Sequence, residues 1–408
     1  MESNEIQQRV QNLTSRIDLL ALINDLQDDY YGSRPHKHFT ARQINIYCNP
    51  NIESGRYVHF EIPKKSGKEP RHITAPSRRF RSMLFFLNKI LQAHYNPKPC
   101  VTGFLPGKSI VDNALLHTNK HYVFNIDLKD FFPSIRRERV WKKLQCPPFN
   151  FTGDRLQLAN TIAGLCCMKT DKVDGQGCPI YVLPQGAPTS PILTNIICER
   201  LDWQLTGLAK RFNATYSRYA DDITFSSMHN VYQKDGAFVR ELTRIIEGQG
   251  FALNPDKTRL CRMNSRQEVT GLTVNTKVNV TRKYVEEVRH VLHRWEKDGY
   301  AVASEDFLRY YRREKAHLKC GKHMENIIEG KLNYLKMVKG DDDSTYKKLK
   351  LRFDSLYSNQ NNRDSKSSVV PNNIAKDSTK QDESLSDTLQ QLVDANFSNL
   401  EILIANGV

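Results

Sequence analysis

Two separate segments of the chain place aspartates beside apolar, strand-like sequence. Asp127 ends the run Tyr122–Asp127, and Asp221 and Asp222 are adjacent within residues 215–226, which read as two short strands. A tight hairpin favours Asn-Gly or another glycine-containing turn. Two neighbouring acids at that point therefore favour a chemical role, with an ordinary surface turn as the alternative.

The chemistry of such a cluster follows from its charge. If the strand that ends at Asp127 lies beside the hairpin, three carboxylates meet, and two charges ~4 Å apart repel by about 4 kcal/mol at an effective dielectric constant of 20. Protons or cations must compensate this repulsion between the carboxylates. Open carboxylate sites suit Mg²⁺, whose shell substrate phosphates complete, and two such ions activate an attacking hydroxyl and neutralise a leaving pyrophosphate. The pattern predicts a nucleotidyl transferase.

Composition is consistent with a folded protein that binds a polyanion. The chain has 408 residues, 39% hydrophobic and 26% charged, which excludes a fibrous or wholly disordered protein. Its formal net charge is +15, and residues 358–408 hold four basic and seven acidic residues, so the first 357 carry about +18. A body this basic favours a polyanionic partner, with charge kept for solubility as the alternative.

Cysteine usage and hydropathy indicate the compartment. The nine cysteines include no C-x-x-C pair, so we expect reduced thiols in a cytoplasmic protein and no cysteine-based zinc site. The most apolar run, residues 83–87, is too short to span a bilayer, and the N-terminus has no charged-then-apolar leader. We expect a soluble protein with no membrane partner.

Hydrophobic periodicity predicts an α+β fold. Strands are expected over residues 57–73, 122–128 and 215–226, and helices over 1–30, 78–91 and 237–248. Ser190 followed by Pro191 predicts the start of a further helix. Residues 282–357 are helical and basic. The segment 358–384 has the composition of a disordered linker, and residues 385–408 have the spacing of an amphipathic helix that docks on the body or on a partner.

Several blocks resemble the motifs of reverse transcriptases, in the order typical of that family. Tyr219–Asp222 is similar to the Y-x-D-D motif, and residues 125–135 are similar to the first catalytic-aspartate block. The resemblance extends from residue 57 to residue 280 and includes three further blocks: the basic strand at residues 65–76, the stretch Leu183–Pro191 and the lysine motif at residues 254–258.

Two further signatures resemble retron-type reverse transcriptases. Asn113 and His117 fit N-A-x-x-H, and Val269, Thr270 and Gly271 fit V-T-G. The segment Gly103–Ser109 is also typical. The chain departs from the family at its C-terminal end, because the linker and final helix extend past the expected thumb.

The resemblance implies roles at the site. The catalytic and metal-binding residues would be Asp127, Asp221 and Asp222, with the Leu128 carbonyl as a further ligand, and the cofactor would be two Mg²⁺ ions. Candidate nucleotide-binding residues are Lys65, Arg71, Phe132, Gln185, Gly186 and Lys257. Of these, Phe132 would exclude a 2′-hydroxyl, and Lys257 would protonate the leaving pyrophosphate. Each role has a structural alternative. Lys65 and Arg71 could lie on a solvated strand, and Phe132 could be a core ring, although Phe131 is the expected core residue. Gln185 and Gly186 could simply lead into a helix, and Lys257 could be a surface lysine.

Contacts with a structured RNA are implied as well. The candidates are Asn113, His117, Val269, Thr270, Gly271, Arg312 and Arg313. A buried, satisfied histidine is the alternative for His117, and a strand bend is the alternative for Gly271.

These observations predict a right-hand polymerase with an antiparallel palm sheet and a short C-terminal tail. The expected segments are an N-terminal helix 1–29, fingers 30–110, palm 111–281, a basic helical thumb 282–357, a linker 358–384 and a helix 385–408. The expected function is RNA-directed DNA synthesis from dNTPs, in which a cognate non-coding RNA is template and primer for a multicopy RNA–DNA hybrid in bacterial anti-phage defence. The expected partners are that RNA, its DNA product, and an effector protein or a second copy bound through the final helix.

Two other functions stay open on the sequence. One is another defence-associated bacterial reverse transcriptase that copies a different RNA. The other is an RNA-binding scaffold with a vestigial polymerase site, against which the intact aspartate trio argues.

Overall fold

The structure is a computed structural model that describes residues 1–52, 54–63, 70–314 and 323–367. It divides into two compact units, Met1–Arg262 and Met263–Val408. Lys65 and the segment 385–408 expected to form the final helix lie outside the described residues. The helices of the described part are too short or too polar to cross a bilayer.

Nine α-helices occur among the described residues of the first unit. They are α1 (Ser3–Gln11), α2 (Arg16–Tyr31), α3 (Ala41–Tyr47), α4 (Arg78–Ala93), α5 (Ile110–Leu115), α6 (Arg137–Leu144), α7 (Leu156–Cys166), α8 (Ser190–Arg211) and α9 (Ala237–Gly248). Short 3-10 helices span Gly153–Arg155 and Pro255–Lys257. The predicted helices at residues 78–91, after Ser190 and at 237–248 are therefore confirmed.

The strands of this unit form one four-stranded sheet and two separate pairs. They are β1 (Tyr57–Ile62), β2 (Arg71–Pro76), β3 (Tyr122–Asp127), β4 (Met168–Val173), β5 (Pro179–Val182), β6 (Thr215–Tyr219), β7 (Asp222–Ser227) and β8 (Arg259–Arg262). The four-stranded sheet has the order β6-β7-β3-β8 and is antiparallel throughout. β1 pairs with β2, and β4 with β5. The α+β class with antiparallel sheets is thus confirmed.

The sheet rests on a helical core. Burial does not alternate strictly along β3, because Val123, Ile126 and Asp127 are all buried. Such a pattern is typical of a strand covered on both faces. Helix α8 is buried along most of its length and packs on β6. Burying one large aliphatic side chain contributes about 1.5–3 kcal/mol, so this helix is a main stabilising element beneath the hairpin of β6 and β7.

The N-terminal segment differs from the single helix predicted over residues 1–29. Helix α1 ends at Gln11, and α2 begins at Arg16 after the cap residue Ser15. The Ser15 side chain accepts a hydrogen bond from the Asp18 backbone N–H, and the Asp18 carboxylate accepts one from the Ser15 N–H. This capping box satisfies the free N–H groups at the start of α2, so a new helix begins there.

The second unit is mainly helical. It contains the short strands β9 (Glu268–Val269) and β10 (Leu272–Thr273) and the helices α10 (Arg282–Asp298), α11 (Tyr300–Glu314), α12 (Met324–Lys339) and α13 (Ser344–Ser367). Trp295 of α10 is buried edge-on against Phe353 of α13, with ring centroids 6.0 Å apart. Arg352 pairs with Glu296 between the same two helices.

Two predicted boundaries do not coincide with boundaries of the structure. The division between units lies after Arg262, before the predicted end of the palm at residue 281. Helix α13 continues to Ser367, so the linker predicted to start at residue 358 does not start there. Extending a helix costs far less than nucleating one, so the packed first half of α13 supports polar residues beyond it. Residues 368–384 lie outside the described residues.

Gly103 lies against the turn between β6 and β7. A Cβ atom built on Gly103 would be 2.5 Å from the backbone nitrogen of Ala220, closer than any real side-chain contact. The segment that carries Gly103 runs beside β6, where the Thr102 N–H donates to the Arg218 carbonyl at 3.0 Å. Only a residue without a side chain permits this approach.

We therefore expect Gly103→Ala to destabilise the protein by about 1–3 kcal/mol through overpacking, measured by denaturant unfolding. Gly175→Ala is the matched control, since a Cβ atom there meets nothing within 4 Å. The control should stay within about 0.5 kcal/mol of the parent. Equal stability of the two variants would show that the turn shifts to accommodate the added methyl group, and would contradict the prediction.

Candidate active site

The hairpin of β6 and β7 carries two of the three aspartates. Strand β6 ends at Tyr219 and β7 begins at Asp222, so Ala220 and Asp221 form a two-residue turn. Ala220 has a φ of 59°, a conformation that favours glycine and costs energy for a residue with a side chain. The turn is therefore held by contacts outside itself.

Strand pairing brings the third aspartate to this turn. Asp127 is the direct cross-strand partner of Asp222 in the β3–β7 register. The N–H of Leu128 donates to the Asp221 carbonyl at 3.2 Å. The condition on which the sequence argument depended, that the strand ending at Asp127 lies beside the hairpin, is met.

Asp127 is buried, and both of its carboxylate oxygens accept a hydrogen bond. Its Oδ1 accepts from Asn254 Nδ2 at 3.1 Å, its Oδ2 from Lys257 Nζ at 2.8 Å, and its carbonyl from the Asn254 N–H at 2.9 Å. Burial lowers the pKa of Lys257, but the hydrogen bond and charge of Asp127 outweigh it and the net shift is upward. Lys257 thus stays protonated and compensates the charge of Asp127.

The other two carboxylates are harder to ionise. Burial, followed by the charge of Asp127, raises the pKa of Asp221 to about 6, although Lys257 and Arg71 oppose the rise. Burial and the charges of Asp221 and Asp127 raise the pKa of Asp222 to about 8, opposed by Lys257 and Arg259. Nearby like charges and poor solvation both destabilise an ionised carboxylate, and both therefore raise its pKa.

This donor set fits a hard divalent cation. All the candidate ligands are carboxylate or carbonyl oxygens, which Mg²⁺ prefers, and the raised pKa values show negative charge that a cation would stabilise. The trio is open, however, because the three aspartates do not bring one oxygen each within 4.8 Å of one another. Both oxygens of Asp127 accept a hydrogen bond, one from Asn254 and one from Lys257, so a cation held by the three aspartates would compete with the Lys257 ammonium for the Asp127 carboxylate.

The predicted nucleotide-binding residues fall partly around this trio. Arg71 begins β2 and is close enough to lower the pKa of Asp221. Phe132 is half-buried, with its ring centroid 6.2 Å from that of Phe104. The ring of Phe104 in turn lies 6.5 Å from that of Tyr219. Phe131 is buried against Phe251, as predicted.

The turn at Gln185 and Gly186 contacts protein backbone. The Thr74 N–H of β2 donates to the Gln185 carbonyl at 2.9 Å. Gly186 has a φ of 129°, and a Cβ atom there would lie 2.9 Å from the Thr74 carbonyl oxygen. The glycine is therefore required for packing against β2, a role separate from the nucleotide binding that the resemblance implies.

Asn113 and His117 are not surface residues, and their burial gives no support to the RNA contact that the resemblance implies. Both are fully buried. His117 Nδ1 lies 2.7 Å from Ser226 Oγ and Nε2 lies 2.7 Å from Ser217 Oγ, and Asn113 Oδ1 accepts from Ser217 Oγ at 2.6 Å. Burial lowers the pKa of His117 to about 3. Both residues brace β6 and β7 behind the turn, which is the satisfied-histidine alternative.

The V-T-G signature forms a turn in the second unit. Val269 pairs with Leu272, and Thr270 and Gly271 between them have φ values of 47° and 79°. Val269 is buried, whereas Gly271 is exposed, and the RNA contacts implied for this turn stay predictions. Arg312 and Arg313 belong to α11, but their side chains lie outside what the structure describes.

Sequence reasoning missed a buried ion pair beneath the turn. Arg218 and Asp202 are both fully buried and form two hydrogen bonds of 2.8 Å. Arg218 Nη1 also donates to the Ala220 carbonyl at 3.2 Å. The residue one position before Y-x-D-D is thus a support of the strained turn, and its basic side chain alone had no feature that distinguishes it from a surface arginine.

Asn254 and Arg259 were missed as well. Asn254 positions Asp127, and Arg259 stabilises the ionised form of Asp222. The signal was available for Asn254, because it opens the same lysine motif from which Lys257 was chosen.

The raised pKa values predict a pH dependence of stability in the absence of divalent cations. An unfolded aspartate titrates near 3.8, so the folded protein holds more protons between about pH 4 and 8, and its free energy of unfolding should fall as pH rises through that window. Asp222→Asn removes the main contributor, so its stability relative to the parent should increase with pH.

The measurement is denaturant unfolding of both proteins in EDTA at several pH values between 5 and 8. Asp171→Asn, an exposed aspartate of β4, is the control and should parallel the parent. If the free energies of unfolding of Asp222→Asn and of the parent changed in parallel with pH, the raised pKa of Asp222 would be contradicted.

Comparison with known proteins agrees with this geometry. The family model described as reverse transcriptase (RNA-dependent DNA polymerase) matches residues 62–284, more than half of the chain. The solved structure of telomerase from Candida albicans, in complex with a TWJ fragment of telomeric RNA, aligns with a TM-score of 0.39 and 12% identity over 84% of this chain and 69% of that chain. A similarity at that level bears on neither fold nor function.

Curated relatives include several retron enzymes. The chain is 36% identical to the retron Mx65 reverse transcriptase of Myxococcus xanthus over 62% of this chain and 58% of the relative. It is 34% identical to the Mx162 enzyme of the same organism over 58% and 52%. It is 30% identical to the retron Ec86 reverse transcriptase of Escherichia coli over 72% and 79%. The chain thus spans little more than half the length of the two Myxococcus relatives.

The family match covers both strands that carry the aspartates and the whole hairpin between Tyr219 and Asp222. With the Ec86 enzyme aligned over most of its length, the chain belongs to the reverse transcriptase family and is of the bacterial retron type.

Proposed function

We propose that this protein is an RNA-directed DNA polymerase that extends a primer with dNTPs. The observation that carries the proposal is the cross-strand pairing of Asp127 with Asp222, with Asp221 in the adjoining turn. This arrangement concentrates oxygen ligands at one edge of an antiparallel sheet, in a chain of the reverse transcriptase family.

The cation expected at this edge is Mg²⁺, as two ions held by Asp127, Asp221, Asp222 and the Leu128 carbonyl. When bound, such ions activate the attacking hydroxyl and neutralise the leaving pyrophosphate. The protein supplies the positions of these groups: the register of β3 and β7 sets Asp127 against Asp222, and Asn254 holds one oxygen of Asp127 in place.

The surrounding side chains bind and select the nucleotide. Arg71 would hold the triphosphate, since a guanidinium binds two phosphate oxygens at once, and Lys65, Gln185 and Gly186 would also contact the nucleotide. Phe132 would exclude a 2′-hydroxyl and so favour dNTPs. Lys257, protonated in this structure, would leave Asp127 and donate its proton to the pyrophosphate.

The template is proposed to be a cognate structured RNA of the retron type. The RNA would also prime synthesis through one of its 2′-hydroxyls, and the product would be a multicopy RNA–DNA hybrid used in anti-phage defence with an effector protein. This proposal is supported by the retron relatives and by the basic net charge of the chain. The formal net charge is +15, which suits an RNA stem recognised by shape and backbone.

A reverse transcriptase that copies a different RNA in defence is the second candidate. The C-terminal segment beyond the helices of the second unit favours it, because the retron resemblance does not include such a tail. Sequencing the nucleic acid that copurifies with the protein separates the two, since the first requires a branched RNA–DNA molecule from one locus. An RNA-binding scaffold remains the third candidate.

The catalytic proposal is tested by replacing Asp221 and Asp222 with Asn. Incorporation of dNTPs on a primed RNA template should fall by about 10²–10³-fold or more, the loss seen when a group that stabilises transition-state charge is removed. RNA binding should be retained because neither substitution changes the basic surface. The control Asp171→Asn should polymerise as the parent does, and unchanged incorporation by the double variant would contradict the catalytic role of Asp221 and Asp222.

A further inference from the structure

The C-terminal end of α2 and the loop that follows it bring together two histidines and an aspartate. Nε2 of His36 and Nε2 of His38 each lie 2.7 Å from the same oxygen, Oδ1 of Asp28. Within the part of the chain that the structure describes, this is the one group of three such side chains whose ligand atoms all lie within 4.8 Å of one another. It shares no residue with the proposed catalytic site.

We propose that Asp28, His36 and His38 form a binding site for a divalent transition-metal ion, Zn²⁺ in the first instance. Two imidazoles and one carboxylate are a ligand set that Zn²⁺ uses when a water molecule takes the fourth position. Imidazole nitrogen suits zinc, whereas Mg²⁺ prefers oxygen ligands alone. The site therefore differs in metal preference from the all-oxygen cluster at Asp127.

The hydrogen bonds of His36 support a cation between its ring and Asp28. Nδ1 of His36 lies 2.9 Å from the Arg34 carbonyl, which only accepts, so this nitrogen carries an N–H. Nε2 faces the Asp28 carboxylate, which also only accepts, so Nε2 carries either a proton or a metal ion. A metal ion would take the place of that proton. The N–H bond to a backbone carbonyl is the usual support that orients a metal-bound histidine.

The loop that carries the histidines is held by hydrogen bonds from neighbouring helices. Arg79 Nη2 donates to the carbonyls of Lys37 and His38 at 2.6 and 2.8 Å. Asn24 and Phe39 exchange two hydrogen bonds of 2.9 and 3.0 Å between side chain and backbone. The ligands are thus positioned before an ion arrives, and this reduces the ordering cost of binding.

The distances and exposure leave room for an ion with one water molecule. Ligand atoms of a tetrahedral zinc site stand ~3.3 Å apart, so each ring nitrogen would move about 0.6 Å from its present distance to Oδ1. The side chain of His36 is 14% exposed, and those of Asp28 and His38 are 49% and 53% exposed. A bound ion would tie the end of α2 to the loop that leads to α3.

The test uses Co²⁺ as a spectroscopic substitute for Zn²⁺, titrated into the full-length purified protein in excess Mg²⁺, which occupies oxygen-only sites. The parent should bind one equivalent with visible absorption bands that Zn²⁺ abolishes. Asp28→Asn and His38→Ala should each weaken binding at least tenfold. His121→Ala, which removes another exposed histidine of the same unit, should bind as the parent does. Polymerisation in Mg²⁺ should be equal in all four proteins, so this result is independent of the proposed function.

A second measurement does not depend on variants. X-ray absorption of the parent loaded with one equivalent of Zn²⁺ should show two imidazoles and no sulfur in the coordination shell. A sulfur shell would place the ion on cysteines and overturn the proposal. Equal Co²⁺ affinity of Asp28→Asn and the parent, or no binding by the parent, would also overturn it, and the cluster would then be held by protons alone.

Discussion

The mutual repulsion of three carboxylates at one edge of a sheet is the constraint on which the rest of this structure depends. The β3–β7 register sets Asp127 opposite Asp222, and the adjoining turn adds Asp221. Without compensation the cluster resists ionisation, as the upward pKa shifts of Asp221 and Asp222 show. Lys257, on Asp127, compensates the cluster in part, and a pair of cations at the site would compensate it further.

The turn that carries two of the aspartates is supported from beneath and from behind. Arg218, paired with Asp202, donates to the carbonyl of Ala220, and Gly103 leaves room for the Ala220 nitrogen. His117 joins β6 to β7 through two serine hydroxyls. Breaking a buried ion pair by removing one partner costs about 3–5 kcal/mol. Much of the polar core thus serves to hold a strained two-residue turn in one place.

The aspartate trio and the main strands and helices could be predicted from the sequence, because motif order and hydrophobic periodicity are local signals. Burial could not be predicted in the same way. Asn113 and His117 have the residue types of an RNA contact, yet they are fully buried because their partners, Ser217 and Ser226, come from strands about a hundred residues away. Arg218 is a similar case. The break before α2, in contrast, had a readable signal in the capping pair Ser15 and Asp18.

The most direct measurement of the central claim is a structure of the protein with primed RNA template, a non-hydrolysable dNTP and Mn²⁺, whose anomalous scattering locates the ions. We predict Mn²⁺ between Asp127 and the Asp221–Asp222 turn, with Lys257 Nζ moved away from Asp127. Ions bound elsewhere, with the contact between Asp127 and Lys257 intact, would contradict the account.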